Sequence, residues 1–119
     1  MKERMEMLLS ADVISQHAHD AILTATDLLV AEWKVDIETD QIQMAMTHFS
    51  RAIDRIQLGN AVTEGLDPEI LAEILEDENF SSINVMNEKL CSIAELEEVP
   101  EAENSFFLSN LYAMYLQRS

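Results

Sequence analysis

Residues that end helices are rare in this chain. Only two glycines and two prolines occur among its 119 residues, and the first 33 residues contain neither. Alanine, leucine, methionine, glutamate and glutamine, which favour helices, are abundant instead. An apolar fraction of 48% with 25% charged residues is that of a globular protein rather than a disordered one. We therefore expect an all-α fold that forms a single domain over residues 1–119.

Apolar residues recur at helical spacing in five segments. The first runs from Met1 to Trp33, and its pattern slips between Ser15 and Ala18, where one long helix would bend or break. Aspartate followed by proline is a good helix start, and a glycine after the last turn is a good stop. The other predicted helices run from Asp40 to Leu58, stopped by Gly59, from Pro68 to about Asp77, from Ser81 or Ser82 to about Leu96, and from about Glu101 to Gln117.

The charge balance is strongly acidic. Seven Lys and Arg residues against 23 Asp and Glu residues give a formal net charge of −16. Nucleic-acid affinity comes mostly from basic side chains that displace counterions, so we expect no direct binding to nucleic acid or to an anionic membrane. The single cysteine, Cys91, closes no intrachain disulfide, and there is neither a signal peptide nor a run of about 20 apolar residues that would span a bilayer. These features indicate a cytoplasmic protein.

The chain offers few catalytic or metal-binding patterns. It has no G-x-S-x-G, no Gly-rich phosphate loop and no H-E-x-x-H, so we expect no enzyme, no catalytic residue and no cofactor. His17 and His19 lie two positions apart on one predicted helix, and their side chains point about 200° apart. They cannot share a metal ion, and we expect no metal site. The acidic run from Glu95 to Glu103 is expected to be a solvated face.

His48 lies at the margin of the apolar stripe of the second predicted helix. Arg51 follows it after three positions and Arg55 after seven, which makes a basic stripe within a strongly acidic molecule. A histidine that carries a phosphoryl group gains from guanidinium groups, because they pair bidentately with phosphate oxygens. The alternative is that both arginines pair with Asp54, Glu38 or another acidic face and that His48 merely packs.

Two segments resemble the signatures of the phosphotransferase-system (PTS) regulation domain, or PRD. The segment from His48 to Ile56 resembles the first, in which a phosphorylatable histidine is followed by a hydrophobic residue and, seven positions on, by an arginine. The segment from Pro100 to Leu111 resembles the second, with the spacing from Glu103 to Asn110 preserved but Asn110 in place of the second histidine. The resemblance covers about residues 15 to 118.

The resemblance implies a bundle of five helices. The first and fourth helices and the second and fifth would form antiparallel pairs, with the short third helix at the periphery and His48 facing Asn110. It also implies a homodimer that is phosphorylated at His48 by the phosphocarrier protein HPr or by an enzyme II component, and that controls transcription or antitermination of sugar-utilisation genes. Because this sequence contains no nucleic-acid-binding domain, we expect either that its signal passes through an effector protein as a further partner or that the chain is a remnant of such a regulator.

Asn110 sets this chain apart from the family pattern. An asparagine cannot form a phosphoramidate, so His48 is the one predicted phosphorylation site. Asn110 can instead donate an amide hydrogen bond to a group on His48, and with Arg51 and Arg55 it completes the predicted phosphate contacts. The alternative is a non-switching dimeric scaffold of helices with a structural His48.

Overall fold

The computed structural model describes residues 1–117, and all of the regular structure in that range is helical, as predicted. Apolar side chains from all six helices meet in one core. In chain order, the helices are α1 (Lys2–Ser10), α2 (Gln16–Trp33), α3 (Asp40–Gln57), α4 (Pro68–Glu76), α5 (Phe80–Ile93) and α6 (Glu101–Leu116).

The predicted count of five helices is corrected to six, because the first predicted helix is two. Asp12 adopts a left-handed backbone conformation with φ of 63°, which ends the regular helix after α1. Ser15 then begins α2 as its N-cap, and its hydroxyl oxygen accepts a hydrogen bond from the Ala18 N–H at 3.0 Å. The slip in the apolar pattern between Ser15 and Ala18 thus marks a complete break rather than a bend.

The other helix starts follow local capping chemistry. Asp67 caps α4 by accepting the Glu69 N–H at 2.8 Å, with Pro68 in the first turn, as the sequence predicts. Thr39 rather than Asp40 caps α3, through the Ile42 N–H at 3.4 Å. These caps place the helix boundaries within a few residues of those expected.

The helix pairing predicted from the resemblance is met only in part. The most extensive contacts join successive helices, α2 with α3 and α5 with α6, while α2 also touches α5 and α3 touches α6. Helices α3 and α6 are antiparallel, because Arg55 near the end of α3 bonds Glu103 near the start of α6 while Phe49, earlier on α3, packs on Phe107, later on α6. Helix α4 packs on α5 and α6 and leaves Ile70 exposed. Among residues 1–117, no helix combines the length and apolar character needed to cross a bilayer.

Candidate functional site

A surface groove of about 430 Å³ lies between α3 and α6, and it contains the predicted phosphorylation site. Three of the four predicted site residues, His48, Arg55 and Asn110, line it together. We call it the His48 groove. Its lining consists of His48, Phe49, Ala52, Arg55, Val62, Glu103, Phe106, Phe107 and Asn110.

Helical periodicity explains why these residues converge. On α3, His48, Ala52 and Arg55 follow at steps of four and three and therefore share one face. Phe49 and Phe107 meet edge-to-face, with their ring centroids 4.8 Å apart and an interplanar angle of 80°, and both rings are buried. They form an apolar floor that separates the groove from the core.

Arg51 is the predicted site residue that the groove does not include. Its side chain is exposed and makes no hydrogen bond or ion pair with any residue in the range 1–117. It lies on the surface beside the groove, one helical turn from His48.

Asp54 does not pair with either arginine. Of the acidic partners considered from the sequence, Arg55 pairs with another carboxylate, Glu103, while Arg51 pairs with none in the range 1–117. The Asp54 carboxylate instead accepts the Ser15 N–H at 2.8 Å and the Ser15 hydroxyl at 2.5 Å. Asp54 on α3 therefore orients the side chain that caps α2. This contact fixes the start of α2 against the helix that carries His48.

Replacing Asp54 with alanine is expected to lower the free energy of unfolding by about 1 kcal/mol, the usual cost of a weakened helix cap. Urea denaturation would measure the change. Asp27→Ala is the matched control, because Asp27 is an exposed aspartate on α2 with no partner among the described residues. The control should stay within about 0.5 kcal/mol of the parent, and equal losses in the two variants would contradict the capping role.

Arg55 pairs with Glu103, a residue that the sequence analysis assigned to a solvated acidic face. That assignment was wrong for Glu103, whose side chain is only 1% exposed. The Arg55 Nε donates to Glu103 Oε2 and Nη2 to Oε1, both at 2.9 Å. The Val62 N–H donates to Oε2 as well, at 3.2 Å. The pair forms one wall of the His48 groove.

The spacing of the two signatures contained a sign of this pair. His48 and Arg55 are seven residues apart, and so are Glu103 and Asn110. When two neighbouring helices run antiparallel, two residue pairs with the same separation can face each other at both positions. A histidine that faces Asn110 therefore places Arg55 opposite Glu103.

Each partner of the Arg55–Glu103 pair stabilises the charged form of the other. Burial by itself raises the pKa of the Glu103 carboxyl, but the hydrogen bonds from Arg55 and from the Val62 N–H outweigh burial and hold the pKa below its usual value. The hydrogen bond to Glu103 raises the pKa of Arg55. Both groups are therefore charged at neutral pH.

The lowered pKa of Glu103 predicts a pH-dependent contribution to stability. Its ionised form stabilises the fold above the unfolded-state pKa of about 4.3, and this contribution is lost as the pH falls through the lower folded-state pKa. Glu103→Gln removes the titration. The difference in free energy of unfolding between the parent and this variant is expected to shrink between about pH 7 and about pH 3 in urea denaturation.

Glu101→Gln is the control for this titration, because Glu101 is an exposed carboxylate in the first turn of the same helix. It should differ little from the parent at both pH values. A parent–Glu103→Gln difference that stays constant across the range would contradict the ionised pair.

The His48 groove contains polar groups whose hydrogen-bonding capacity is unused. Among residues 1–117, the side chains of His48 and Asn110 have no hydrogen-bond partner. Arg55 uses Nε and Nη2 for Glu103, while its Nη1 donors bond no described residue. These donors are available to hydrogen-bond an anion in the groove. His48 is exposed, so a molecule from solution can approach its ring.

The remaining histidines and the cysteine lie outside the His48 groove. The His17 Nε2 lies 2.7 Å from the Ala94 carbonyl oxygen at the end of α5, while His19 is buried with its Nδ1 2.8 Å from Asp20 Oδ1. Burial raises the pKa of the Cys91 thiol to about 11, with the Glu88 charge adding to the shift, which makes it a poor nucleophile. Residues 1–117 hold no group of three or more His, Cys, Asp and Glu side chains arranged to bind a metal ion.

Comparisons with known proteins find relatives along almost the entire chain. A protein of Escherichia coli K12 named "Uncharacterized protein YhfY" is 28% identical over 116 residues, which cover 98% of this chain and 95% of the relative. A Haemophilus influenzae protein named "Uncharacterized protein" is 28% identical over 105 residues, which cover 88% of this chain and 82% of the relative. No protein-family model and no solved structure matches the chain. The similarity to the E. coli protein therefore extends through both helices of the His48 groove.

Proposed function

We propose that this chain is a regulatory module similar to a PTS regulation domain and that it is switched by phosphorylation at His48. The observation that carries the proposal is the convergence of His48, Arg55 and Asn110 in one groove with unused hydrogen-bonding groups. An exposed imidazole beside guanidinium and amide donors has the composition of a phosphohistidine site.

The donor would be phosphorylated HPr or a phosphorylated enzyme II component. The phosphoryl group moves from the donor side chain to a ring nitrogen of His48: the bond between the donor and phosphorus breaks, a P–N bond forms on His48, and the proton that the His48 ring gives up is taken up by the donor side chain. The transferred group carries close to two negative charges at neutral pH. Arg55 Nη1 and the Asn110 amide are the donors on the groove wall, and the exposed Arg51 supplies a further cation.

The fold supports this proposal through α2 to α6. These five helices span the segment that resembles the regulation domain, and the short α4 lies at the outside of the bundle. Helix α1 would then be an addition before the five-helix unit, attached to it through the buried Met5 and through a 3.1 Å hydrogen bond from Arg4 to Thr47.

We further propose that the module acts as a homodimer and passes its signal to an effector protein that regulates sugar-utilisation genes. Closed two-fold assemblies are the commonest oligomers. Light scattering is expected to give about 27 kDa, twice the chain mass of 13.5 kDa. A mass of one chain at every concentration would rule out the dimer.

The second candidate is a scaffold that does not switch. It is favoured by the replacement of the family's second histidine with Asn110 and by Glu103, which already neutralises Arg55 in the unphosphorylated protein. In such a protein His48 would be an exposed surface residue, and phosphodonors would leave it unmodified.

Phosphotransfer from the transport system separates the two candidates. The protein would be incubated with radioactive phosphoenolpyruvate and the general phosphotransfer proteins, with and without enzyme II components. A switch is expected to acquire a label that acid removes and base does not, as phosphohistidine does. Absence of label with every donor would leave the scaffold as the function.

A further inference from the structure

We propose that Glu103 is a positioning residue, which holds Arg55 in a fixed orientation for the phosphoryl group on His48. This inference rests on the proposed function, because it assigns a role to Glu103 within the same site. Glu103 is not a phosphate contact itself, since a carboxylate repels phosphate. It acts through the guanidinium that it orients.

The contacts of Glu103 make it a rigid support. Its two oxygens accept hydrogen bonds from Nε and Nη2 of Arg55, and this planar, two-point pairing restricts rotation of the guanidinium. The Val62 N–H donates a third hydrogen bond to the same carboxylate. The Nη1 end of Arg55 is left without a bond to any residue in the described range, and it belongs to a side chain that lines the groove.

The connection between α3 and α4 covers this support. The Leu66 N–H donates to Ser105 Oγ at 2.9 Å, and Ser105 Oγ donates in turn to the Ala102 carbonyl at 2.6 Å. Gly65 comes so close that a Cβ there would lie 2.8 Å from Ser105 Oγ and 3.1 Å from the Ala102 Cα. The connection therefore lies directly against the first turns of α6, and Glu103 is shielded from water behind it.

The Arg55–Glu103 pair is expected to persist when His48 is phosphorylated. A phosphoryl group on the exposed His48 remains hydrated, so its attraction for a cation is screened by water. The carboxylate is buried, and the loss of its cation would leave a desolvated charge without a partner. Arg55 therefore meets the phosphoryl group with its unused Nη1 donors instead of exchanging one anion for another.

Chemical phosphorylation tests this role without any transport protein. Potassium phosphoramidate transfers its phosphoryl group to histidine, breaking its own P–N bond and releasing ammonia. Phosphorus NMR of the product gives the pKa of each phosphoryl group, and the His48 resonance is identified by its absence in His48→Gln. In the parent, Arg55 is expected to hold the pKa of this phosphoryl group below that of phosphohistidine in the unfolded protein.

Glu103→Gln is the decisive variant, because the two explanations predict opposite signs. Loss of a negative charge alone lowers the pKa of a nearby phosphoryl group, as Glu101→Gln on the same helix will report. Loss of positioning releases Arg55 and raises the pKa, by about half a unit for a contact of this kind. Arg55→Lys should raise it too, since lysine retains the charge but cannot form the two-point pair.

Each result has a definite meaning. A rise in the His48 phosphoryl pKa in Glu103→Gln, with cooperative thermal unfolding retained, supports the positioning role. A fall or no change overturns it. If phosphoramidate labels His48 with the expected pKa shifts but the transport proteins never label it, the proposed function fails while the role of Glu103 in anion binding holds. If the transport proteins label both the parent and Glu103→Gln and the phosphoryl pKa values of the two proteins are equal, the proposed function holds and the positioning role of Glu103 fails.

Discussion

Replacing His48 with glutamine is expected to abolish the acid-labile label that the transport phosphodonors introduce. Glutamine retains a polar side chain of similar reach but has no ring nitrogen on which a phosphoramidate can form. The measurement is radioactive labelling from phosphoenolpyruvate, followed by phosphopeptide mapping under alkaline conditions. Because His48 is exposed and makes no hydrogen bond or ion pair with any residue between 1 and 117, its replacement should leave the fold unchanged.

His17→Gln is the matched control for this result. His17 is only partly buried, but its Nε2 bonds the Ala94 carbonyl oxygen at 2.7 Å, so that ring nitrogen is occupied. His19 is buried with a relative exposure of 8%, which keeps a protein donor away from it. We expect His17→Gln to label like the parent. A His48→Gln protein that labels as well as the parent would refute the switch.

Arg51 and Asn110 should affect this labelling less than His48 does. Arg51→Ala removes an exposed cation and is expected to slow phosphotransfer without abolishing it, since the interaction of an exposed charge with phosphate is screened. Asn110→Ala removes an amide donor from the groove wall, with a similar partial effect. Complete loss would therefore be specific to His48, the proposed phosphorylation site.

Local sequence patterns were sufficient to predict most of the helices and the shared face of His48 and Arg55. The step of seven between His48 and Arg55 places both on one face of α3, and the start of α4 at Asp67 and Pro68 follows from capping chemistry alone. The resemblance added that Asn110 would face His48, and both residues do line one groove. These features depend on periodicity within single helices or on the relation between two of them.

The features that the sequence did not predict depend on contacts between distant segments. Asp54, 39 residues away, orients the Ser15 cap of α2, and no local pattern predicts that contact. Glu103 lies within an acidic run, where a carboxylate is normally solvated. The hydrogen bonds from Arg55 and from the Val62 N–H offset the cost of burying its charge. The burial of Glu103 therefore became visible only in the structure, although the matched spacing of seven residues already placed Arg55 opposite it.

Replacing Arg55 with methionine is expected to lower the free energy of unfolding by about 3–4 kcal/mol at neutral pH. Methionine retains the length and much of the apolar contact of the arginine but leaves Glu103 as a buried carboxylate without its cation. Removal of one partner from such a pair typically costs about 3–5 kcal/mol. The carboxyl can instead take up a proton, which costs about 3.7 kcal/mol at pH 7 for a group with an ordinary pKa near 4.3, so the penalty from the unpaired charge itself cannot exceed this value.

Glu103→Gln is expected to be much milder, at about 1–2 kcal/mol. The Arg55 side chain is 38% exposed, so after loss of its partner it can turn towards water, whereas the Glu103 side chain, 1% exposed, cannot. In the double variant Arg55→Met/Glu103→Leu, no buried charge remains and only the Val62 N–H loses its acceptor. We therefore expect this double variant to recover most of the stability that Arg55→Met loses.

The pH dependence of Arg55→Met distinguishes an uncompensated charge from a simple packing defect. Without its cation, the buried Glu103 has a raised pKa in the folded protein, so its destabilising effect is greatest at neutral pH and is relieved as the pH falls. In urea denaturation, the free energy of unfolding of Arg55→Met is expected to lie below that of Glu103→Gln at neutral pH. This difference should shrink by up to about 1.4 kcal/mol per pH unit until Glu103 is protonated in the unfolded chain as well. A packing defect would give the same deficit at every pH. A constant deficit, or equal losses in the two single variants, would therefore show that the groove wall does not depend on the Arg55–Glu103 charge pair.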